Sequence, residues 1–353
     1  MKLSMLLTNY AGDPRESAAL ARRLEDAGLD IVWIPEAYGF DAISQAGYIA
    51  AQTSRIEIAT GIVNVYSRTP SLLAMTAAGV DILSEGRFVL GLGASGPQVI
   101  EGFHGLPYKQ PLQRIKETIE ICRRVWERKE PLQYDGKIFK LPLSAEQGSG
   151  LGKPLKIINH PFRSRIPVYW ASLMDKSLEA TAEVADGWLP VLFIPEAAGS
   201  VFGPAIRAGL AKRQPGLSPL QVVAGGPTAV GENLPVQELR DKGRKWLALY
   251  VGGMGARGKN FYNELAVRYG YEEDAVRIQD LYLDGKKTEA EAAVPDEWLF
   301  RTSMIGPRGL VEERIAAYAA AGVTHLSIEP VGPDPVKTVE AIRKIVDNLP
   351  SGR

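Results

Sequence analysis

The sequence predicts an α/β protein in which eight strands and their helices close into a (β/α)8 barrel. Eight short apolar segments alternate with helical patterns along the 353 residues. The segment AAGVTHLSIEP at 320–330 repeats the helix end, Ala-Gly stop, apolar strand and terminal Glu of DAGLDIVWIPE at 26–36. This echo between the two ends of the chain favours a closed barrel, and a doubly wound open sheet is the alternative.

The composition excludes several classes of protein. Hydrophobic residues make up 45% of the chain and charged residues 23%, so a large core is expected. The 41 basic residues balance 41 acidic ones, which argues against nucleic-acid binding. One cysteine, Cys122, cannot form a disulfide framework, and no apolar run is long enough to span a membrane. We expect a cytoplasmic protein without a metal site, because three scattered histidines give no ligand spacing.

Apolar runs and helix signals predict the elements of the amino-terminal half. Asp13 and Pro14 are typical of the start of a helix, and Gly28 of its end. Thr69 and Pro70 repeat this start signal before the third helix. The predicted strands are Lys2–Thr8, Asp30–Ile34, Ile56–Val65 and Phe88–Gly91, and the helices are Pro14–Ala27, Asp41–Gln52, Pro70–Leu83 and Pro111–Glu127.

The carboxyl-terminal half continues the alternation around two insertions within a single domain, 1–353. An irregular insertion at about 129–165 holds a hairpin turn at Tyr134–Lys137, and a charged helical insertion at about 232–300 precedes the last strand. We expect the second insertion to cover the barrel mouth. The predicted strands are Val168–Ala171, Gly187–Val191, Gln221–Ala229 and Val323–Ile328. The predicted helices are one that ends at Ala185, two that span Glu196–Lys212 and Gly309–Ala321, and a last one that begins at Pro335.

The third predicted strand has an unusual carboxyl end. Gly61 interrupts its apolar run, which indicates a bulge or a close backbone approach, and polar Asn64 and Arg68 follow. An ordinary strand-end glycine is an equally good explanation from this stretch alone. In a parallel barrel, the carboxyl ends of the strands form the ligand site.

Other strand ends supply candidate residues for chemistry. Glu36 follows the second strand, where it is either a base or a salt-bridged rim residue. The glycine-rich run 91–98 is either an amide-lined ligand loop or a flexible loop. His104 is the histidine placed for proton transfer, since His325 lies within a strand.

Four motifs resemble the luciferase-like flavin and deazaflavin oxidoreductases, specifically the branch that uses coenzyme F420. They are VWIPEAYGFDA at 32–42, ATGIVNVYSRTPSLLAMTAA at 59–78, SEGRFVLGLGASGPQVIEGFHG at 84–105, and EVADGW at 183–188. The resemblance implies a TIM barrel, a homodimer and a tricyclic coenzyme ring across the barrel mouth. It also implies a cis peptide at Gly61-Ile62. The implied coenzyme contacts are Glu36, Gly61, Ile62, Asn64, Ala94, Ser95, Gly96, Gln98, Ser172, Leu173, Met174 and Asp175.

The chain departs from this family at two places. Ala37 stands where members acting on sugar phosphates have a histidine, and Met174-Asp175 replaces a common Gly-Pro. We therefore expect Glu36 or His104 to handle the proton, and glucose 6-phosphate not to be the substrate. The expected function is hydride transfer between the C5 atom of coenzyme F420 and a small organic molecule. The alternatives are an FMN-dependent monooxygenase and a deazaflavin-binding protein without turnover.

Overall fold

Eight parallel strands form a closed barrel in the computed structural model, which describes residues 1–8 and 12–349. In chain order the strands are β1 Lys2–Leu6, β2 Ile31–Ile34, β3 Glu57–Thr60, β4 Val63–Asn64, β5 Phe88–Gly93, β6 Tyr134–Asp135, β7 Lys140–Leu141, β8 Val168–Trp170, β9 Gly187–Trp188, β10 Gln221–Val230, β11 Met304–Gly306 and β12 His325–Pro330. The barrel runs β1-β2-β3-β5-β8-β9-β10-β12, and pairing of Ser4 with Ser327 between β1 and β12 closes it. This confirms the predicted TIM barrel.

Helices follow most of the barrel strands and surround them. They are α1 Pro14–Asp26, α2 Ala42–Gln52, α3 Pro70–Leu83, α4 Pro97–Gly102, α5 Pro111–Glu127, α6 Asp175–Val184, α7 Pro195–Val201, α8 Gly203–Leu210, α9 Val236–Asp241, α10 Arg244–Ala248, α11 Phe261–Arg268, α12 Glu272–Leu283, α13 Lys287–Ala292, α14 Asp296–Arg301, α15 Arg308–Ala320 and α16 Pro335–Asp347. A 3-10 turn spans Ala145–Gln147 and a π-helix spans Leu249–Gly253.

Capping side chains fix several helix starts where the sequence predicts them. Asp13 accepts a hydrogen bond from the backbone of α1, Thr69 from that of α3, and Asp334 from that of α16. Each cap satisfies a first-turn amide that has no partner within its helix. The predicted bounds of α3 and α5 agree with the structure at both ends.

The core has two layers. Between strands and helices lies a large apolar layer that includes Trp126, Trp170 and Trp188. The barrel interior holds a smaller cluster, made of Ile31, Trp33, Ala59, Val89, Tyr169 and Val223. Alternate strand residues face these two layers, which explains the nearly continuous apolar strands of the sequence.

Several predicted boundaries are wrong. The strand predicted at Ile56–Val65 is two strands, because the chain kinks at Gly61-Ile62 between β3 and β4. The helix predicted at Glu196–Lys212 is two helices, because Pro204 starts a new one. The last strand begins at His325 rather than Val323, and β11 at the end of the helical insertion was not predicted.

The helical insertion lies between β10 and β11 and contributes α9 to α14. Arg268 of α11 pairs with Asp175, at the start of α6, over 2.8 Å. The insertion therefore reaches the carboxyl end of the barrel. No helix among residues 1–8 and 12–349 is long and apolar enough to cross a membrane. The same residues contain no group of three metal-binding side chains.

Candidate active site

The kink after β3 forms the centre of the barrel mouth. The Gly61-Ile62 peptide is cis, as predicted, and the Gly61 amide donates to Ile34 O over 2.8 Å. Thr60 Oγ1 donates to Gly91 O over 2.8 Å and accepts from Gly91 N over 2.9 Å. This hydroxyl joins β3 to β5 where the kink interrupts the ladder, so Thr60 holds the kink in register.

Two glycines of β5 make room for the kink. A Cβ added to Gly91 would lie 1.8 Å from Thr60 O, and one added to Gly93 would lie 2.9 Å from Ile62 Cδ1. The run Gly91–Gly96 has the GxGxxG spacing of dinucleotide sites. Here its first two glycines permit close packing against the kinked strand, which accounts for their presence without a dinucleotide.

Three neighbouring strand ends carry small residues at the barrel mouth. Gly93 ends β5, and Gly61 and Ala171 directly follow β3 and β8 on the interior side. A Cβ on Gly93 would lie 3.7 Å from Ala171 Cβ. We call these three residues the mouth floor. Gly93 is buried because Ile62 packs against it, and Gly61 and Ala171 are half-buried. A surface of such small residues suits the face of a flat ring.

Asn64 and His104 lie at the edge of this floor. The Asn64 side-chain oxygen accepts hydrogen bonds from the Tyr66 and Ser67 amides over 3.0 and 2.8 Å. These bonds turn the Asn64 amino group toward His104, whose Nε2 lies 3.5 Å from it. Since the amino group can only donate, the His104 Nε2 lone pair faces Asn64. The Phe103 ring stands edge-on to the imidazole at 5.3 Å.

Glu36 is held in an ion pair. Arg68 donates to both Glu36 oxygens over 2.9 and 2.7 Å and also contacts Asp41, and the Ala42 amide donates to Glu36 over 3.2 Å. The Glu36 and Arg68 side chains are 10% and 13% exposed. These contacts raise the pKa of Arg68, chiefly through the hydrogen bond to Glu36. Arg68, the polar residue that follows Asn64 at the mouth, is therefore committed to two carboxylates.

The loop after β5 has a constrained backbone. Ser95 adopts a φ of +57°, and its carbonyl accepts from the Tyr108 hydroxyl over 3.1 Å. Ala94 and Gly96 are half-buried on either side of it, and Gln98 is exposed on α4. Non-glycine residues with positive φ are uncommon and cluster at functional sites. Because this loop directly follows Gly93, Ala94, Ser95 and Gly96 lie beside the mouth floor at the carboxyl end of the barrel.

The loop after β8 leads into α6. The Ser172 hydroxyl lies 2.8 Å from that of Thr181, so it points toward α6. Leu173 and Met174 are half-buried, and no side chain caps the first-turn amides of α6 after Met174. Asp175 is exposed and paired with Arg268. Free first-turn amides suit an anion, whereas the Asp175 carboxylate disfavours one.

Glu329 occupies the end of β12 on the interior face, two residues beyond Ser327. The Glu329 side chain is exposed to water at the open mouth, but protein atoms surround much of its carboxyl group. The resulting loss of hydration raises the pKa of Glu329. His325, four residues earlier on the same face, is 3% exposed and its Nδ1 lies 2.8 Å from Thr324 Oγ1. This confirms His325 as a core residue.

Several residues of the site were not singled out from sequence. Thr60 lies within the motif at 59–78 but was given no role, and Tyr108 lies outside the four motifs. The contacts of both residues depend on strands and loops that are distant in sequence. A threonine next to a strand glycine was the available signal for Thr60. Tyr250 and Tyr262 of the insertion meet edge-on near the mouth, with their ring centroids 4.7 Å apart, and only the fold reveals their position.

Comparison with known proteins agrees with this geometry. The sequence model of the luciferase-like monooxygenase family matches residues 2–325. The chain belongs to this family. The result confirms the resemblance seen in the four motifs.

Two relatives and one solved structure cover almost the whole chain. "Putative coenzyme F420-dependent oxidoreductase Rv3520c" of Mycobacterium tuberculosis is 35% identical over 97% of this chain and 99% of its own length. The 5,10-methylenetetrahydromethanopterin reductase of Archaeoglobus fulgidus is 31% identical over 91% of both chains. The coenzyme F420-dependent tetrahydromethanopterin reductase structure from Methanopyrus kandleri superposes with a TM-score of 0.78, at 23% identity over 97% and 96% of the chains. This structural likeness concerns the fold.

Proposed function

We propose that this protein is a coenzyme F420-dependent oxidoreductase that exchanges a hydride with a small organic substrate. The mouth floor carries this proposal, because it places only small residues, with Ile62 packed against Gly93, at the carboxyl ends of three neighbouring strands. The names of the two relatives support the choice of coenzyme. Coenzyme F420 supplies a C5 position that accepts or delivers a hydride.

The residues of this chain position and enclose the reaction. Gly61, Gly93 and Ala171 support one face of the ring, and Asn64 reaches its edge from a fixed orientation. We infer that the free amides after Met174 hold an anionic group of the coenzyme. Lys176, exposed on the first turn of α6, adds a positive charge there.

His104 is our choice for the proton transfer that accompanies hydride exchange. Glu36 is occupied by Arg68 and by the Ala42 amide, so its carboxylate has little freedom to exchange a proton. His104 faces Asn64 at the floor edge and is only half-buried. Replacing it with glutamine should lower turnover about 10²–10⁴-fold and leave coenzyme affinity nearly unchanged. A Glu36→Gln variant that loses more turnover than His104→Gln would reverse this choice.

The coenzyme proposal is tested by titrating the purified protein with coenzyme F420 and with FMN at low and high salt. We expect tighter binding of coenzyme F420, with an affinity that falls as salt screens its anionic tail. Lys176→Ala should weaken that binding about fivefold at low salt, whereas Lys153→Ala, in the irregular insertion, should not change it. Tighter FMN binding would contradict the proposal.

An FMN-dependent monooxygenase is the second candidate, since the matched family carries the name luciferase-like monooxygenase. It requires oxygen, so turnover of reduced flavin with and without oxygen distinguishes the two reactions. Reduced coenzyme F420 should be consumed equally well in both conditions. Tight binding of the coenzyme with no consumption for any substrate would instead indicate a carrier protein.

We propose a homodimer that buries one face of α3. Leu72, Met75, Ile82 and Leu83 are 47%, 54%, 51% and 67% exposed and lie along this face, an apolar stripe that water disfavours. Met75→Glu should give a monomer in sedimentation velocity. Val276→Glu, on the exposed face of α12, is the matched control and should remain a dimer.

A further inference from the structure

Aromatic side chains from three separate segments line one side of the barrel mouth. Tyr38 follows β2, Phe103 and Tyr108 follow β5, and Tyr250 and Tyr262 belong to the helical insertion. We call these five residues, together with Trp246, the aromatic wall.

Direct ring contacts join five of the six wall residues in two groups, one on the barrel loops and one on the insertion. Tyr38 and Phe103 lie 6.2 Å apart between centroids, Trp246 and Tyr250 4.2 Å, and Tyr250 and Tyr262 4.7 Å. Burial raises the pKa of Tyr250, and nearby Tyr38 adds to the effect. Burial also raises the pKa of Tyr262, with smaller contributions from Tyr250 and from Tyr108. The insertion group therefore lies near Tyr38 and Tyr108 of the two barrel loops.

The wall is continuous with the proposed reaction site. Phe103 packs edge-on against His104, and His104 faces Asn64 at the floor edge. Tyr108 stacks on Tyr66 at 5.4 Å, two residues beyond Asn64. A molecule that reaches His104 from the insertion side must therefore contact aromatic faces.

The rings of the wall present apolar faces. Tyr38 and Phe103 are each 66% exposed and Trp246 is 40% exposed, although large aromatic residues are usually buried. Beside Tyr38, Arg68 pairs with both Glu36 and Asp41, which leaves one net negative charge in this group. Aromatic faces favour other flat rings in offset or edge-on contact, and they provide no partner for an anion.

We propose that the aromatic wall binds the substrate, and that this substrate is an uncharged, flat, conjugated ring compound. The inference rests on the proposed function for the reaction at His104, and it adds the chemical class of the molecule that approaches it. A saturated ring of the same size should bind more weakly, since it cannot lie flat against the wall. A carboxylate on the ring should also weaken binding, because the wall would desolvate it without pairing it.

Trp246 provides a direct readout of binding. It is the one exposed residue among the six tryptophans, all of which lie within the part of the chain that the structure describes. Protein labelled with 5-fluorotryptophan should give six ¹⁹F resonances, and Trp246→Phe identifies the one that belongs to the wall. The probes are 2-acetonaphthone, its decalin counterpart and 2-naphthoate. Each is titrated into the protein with and without coenzyme F420.

We expect 2-acetonaphthone to move the Trp246 resonance in the coenzyme-loaded protein and to bind at least threefold more tightly than the other two probes. Phe103→Leu should weaken this binding about three- to tenfold and leave the decalin counterpart unaffected. Phe162→Leu, which changes an exposed phenylalanine of the irregular insertion, should have no effect.

The inference is overturned if the saturated or charged probe binds as tightly as 2-acetonaphthone. It is also overturned if 2-acetonaphthone binds nowhere, or binds without moving the Trp246 resonance. Coenzyme binding is measured in the same samples by its own fluorescence. A protein that binds 2-acetonaphthone at the wall but ignores coenzyme F420 would refute the proposed function and not the wall.

Discussion

His325 makes the stability of the fold dependent on pH in a specific window. Its ring lies in the barrel interior, edge-on to Tyr169 at 5.9 Å. Burial lowers the pKa of His325 from 6.5 to about 4, and the positive charges of Lys2 and the amino terminus add to the effect. The folded protein therefore keeps this histidine neutral under conditions in which the unfolded chain would protonate it.

The sign and the size of the effect follow from proton linkage. Above pH 6.5 His325 is neutral in both the folded and the unfolded protein, so its protonation does not lower the stability of the folded state. As the pH falls, the unfolded chain gains a proton first, and the folded state loses relative stability until it too protonates near pH 4. Between pH 7 and pH 5 this single group should lower the free energy of unfolding by roughly 2 kcal/mol.

The assay compares His325→Gln with wild type in urea unfolding at pH 7 and pH 5. The substitution will change the overall stability. Between pH 7 and pH 5, however, the free energy of unfolding of the variant should fall by about 2 kcal/mol less than that of wild type. His160→Gln, at an exposed position in the irregular insertion, should behave as wild type. Because the chain has only three histidines, NMR titration of labelled rings measures His325 without unfolding. Equal falls in all three proteins, or titration of His325 near pH 6.5, would refute this reasoning.

Three further predictions concern the barrel and its mouth. Gly91→Ala should cost roughly 1–3 kcal/mol and weaken coenzyme binding, because the new Cβ would displace the Thr60 carbonyl. Gly199→Ala, which meets no neighbour, is its control in urea unfolding and coenzyme titration. Glu329→Gln should raise the melting temperature at pH 7, with a difference that vanishes below pH 4.5, since burial raises the pKa of this carboxyl. Cys122, fully buried with a raised thiol pKa, should resist thiol reagents until the protein unfolds; rapid native labelling would contradict this.

The sequence predicts the barrel well because the signals for its strands and helices are local. Helix caps and the apolar period act within a few residues, so α3 and α5 begin and end where predicted. The errors arise where distant contacts decide the structure. The strand through Gly61 is interrupted because Thr60 and Gly91 pair across β3 and β5, and no local pattern encodes that pairing.

The mouth floor was partly predictable for the same reason. A glycine within a buried strand already indicated a close backbone approach at Gly61. The second glycine, Gly93, was assigned to a ligand loop, although it also leaves space for Ile62. The aromatic wall was not predictable, because its members lie between positions 38 and 262 and meet only after the barrel closes and the insertion folds over it.

Glu36 shows how a candidate residue can be located correctly from sequence while its role depends on its partners. The strand-end rule places Glu36 at the mouth, and the structure agrees. Its chemistry depends on Arg68, which lies 32 residues away and holds both carboxylate oxygens. Removing either partner would leave a poorly solvated charge, so this pair fixes the loops around the mouth. His104 has no such ionic partner among the described residues, and it is therefore the better choice for moving a proton at the floor edge.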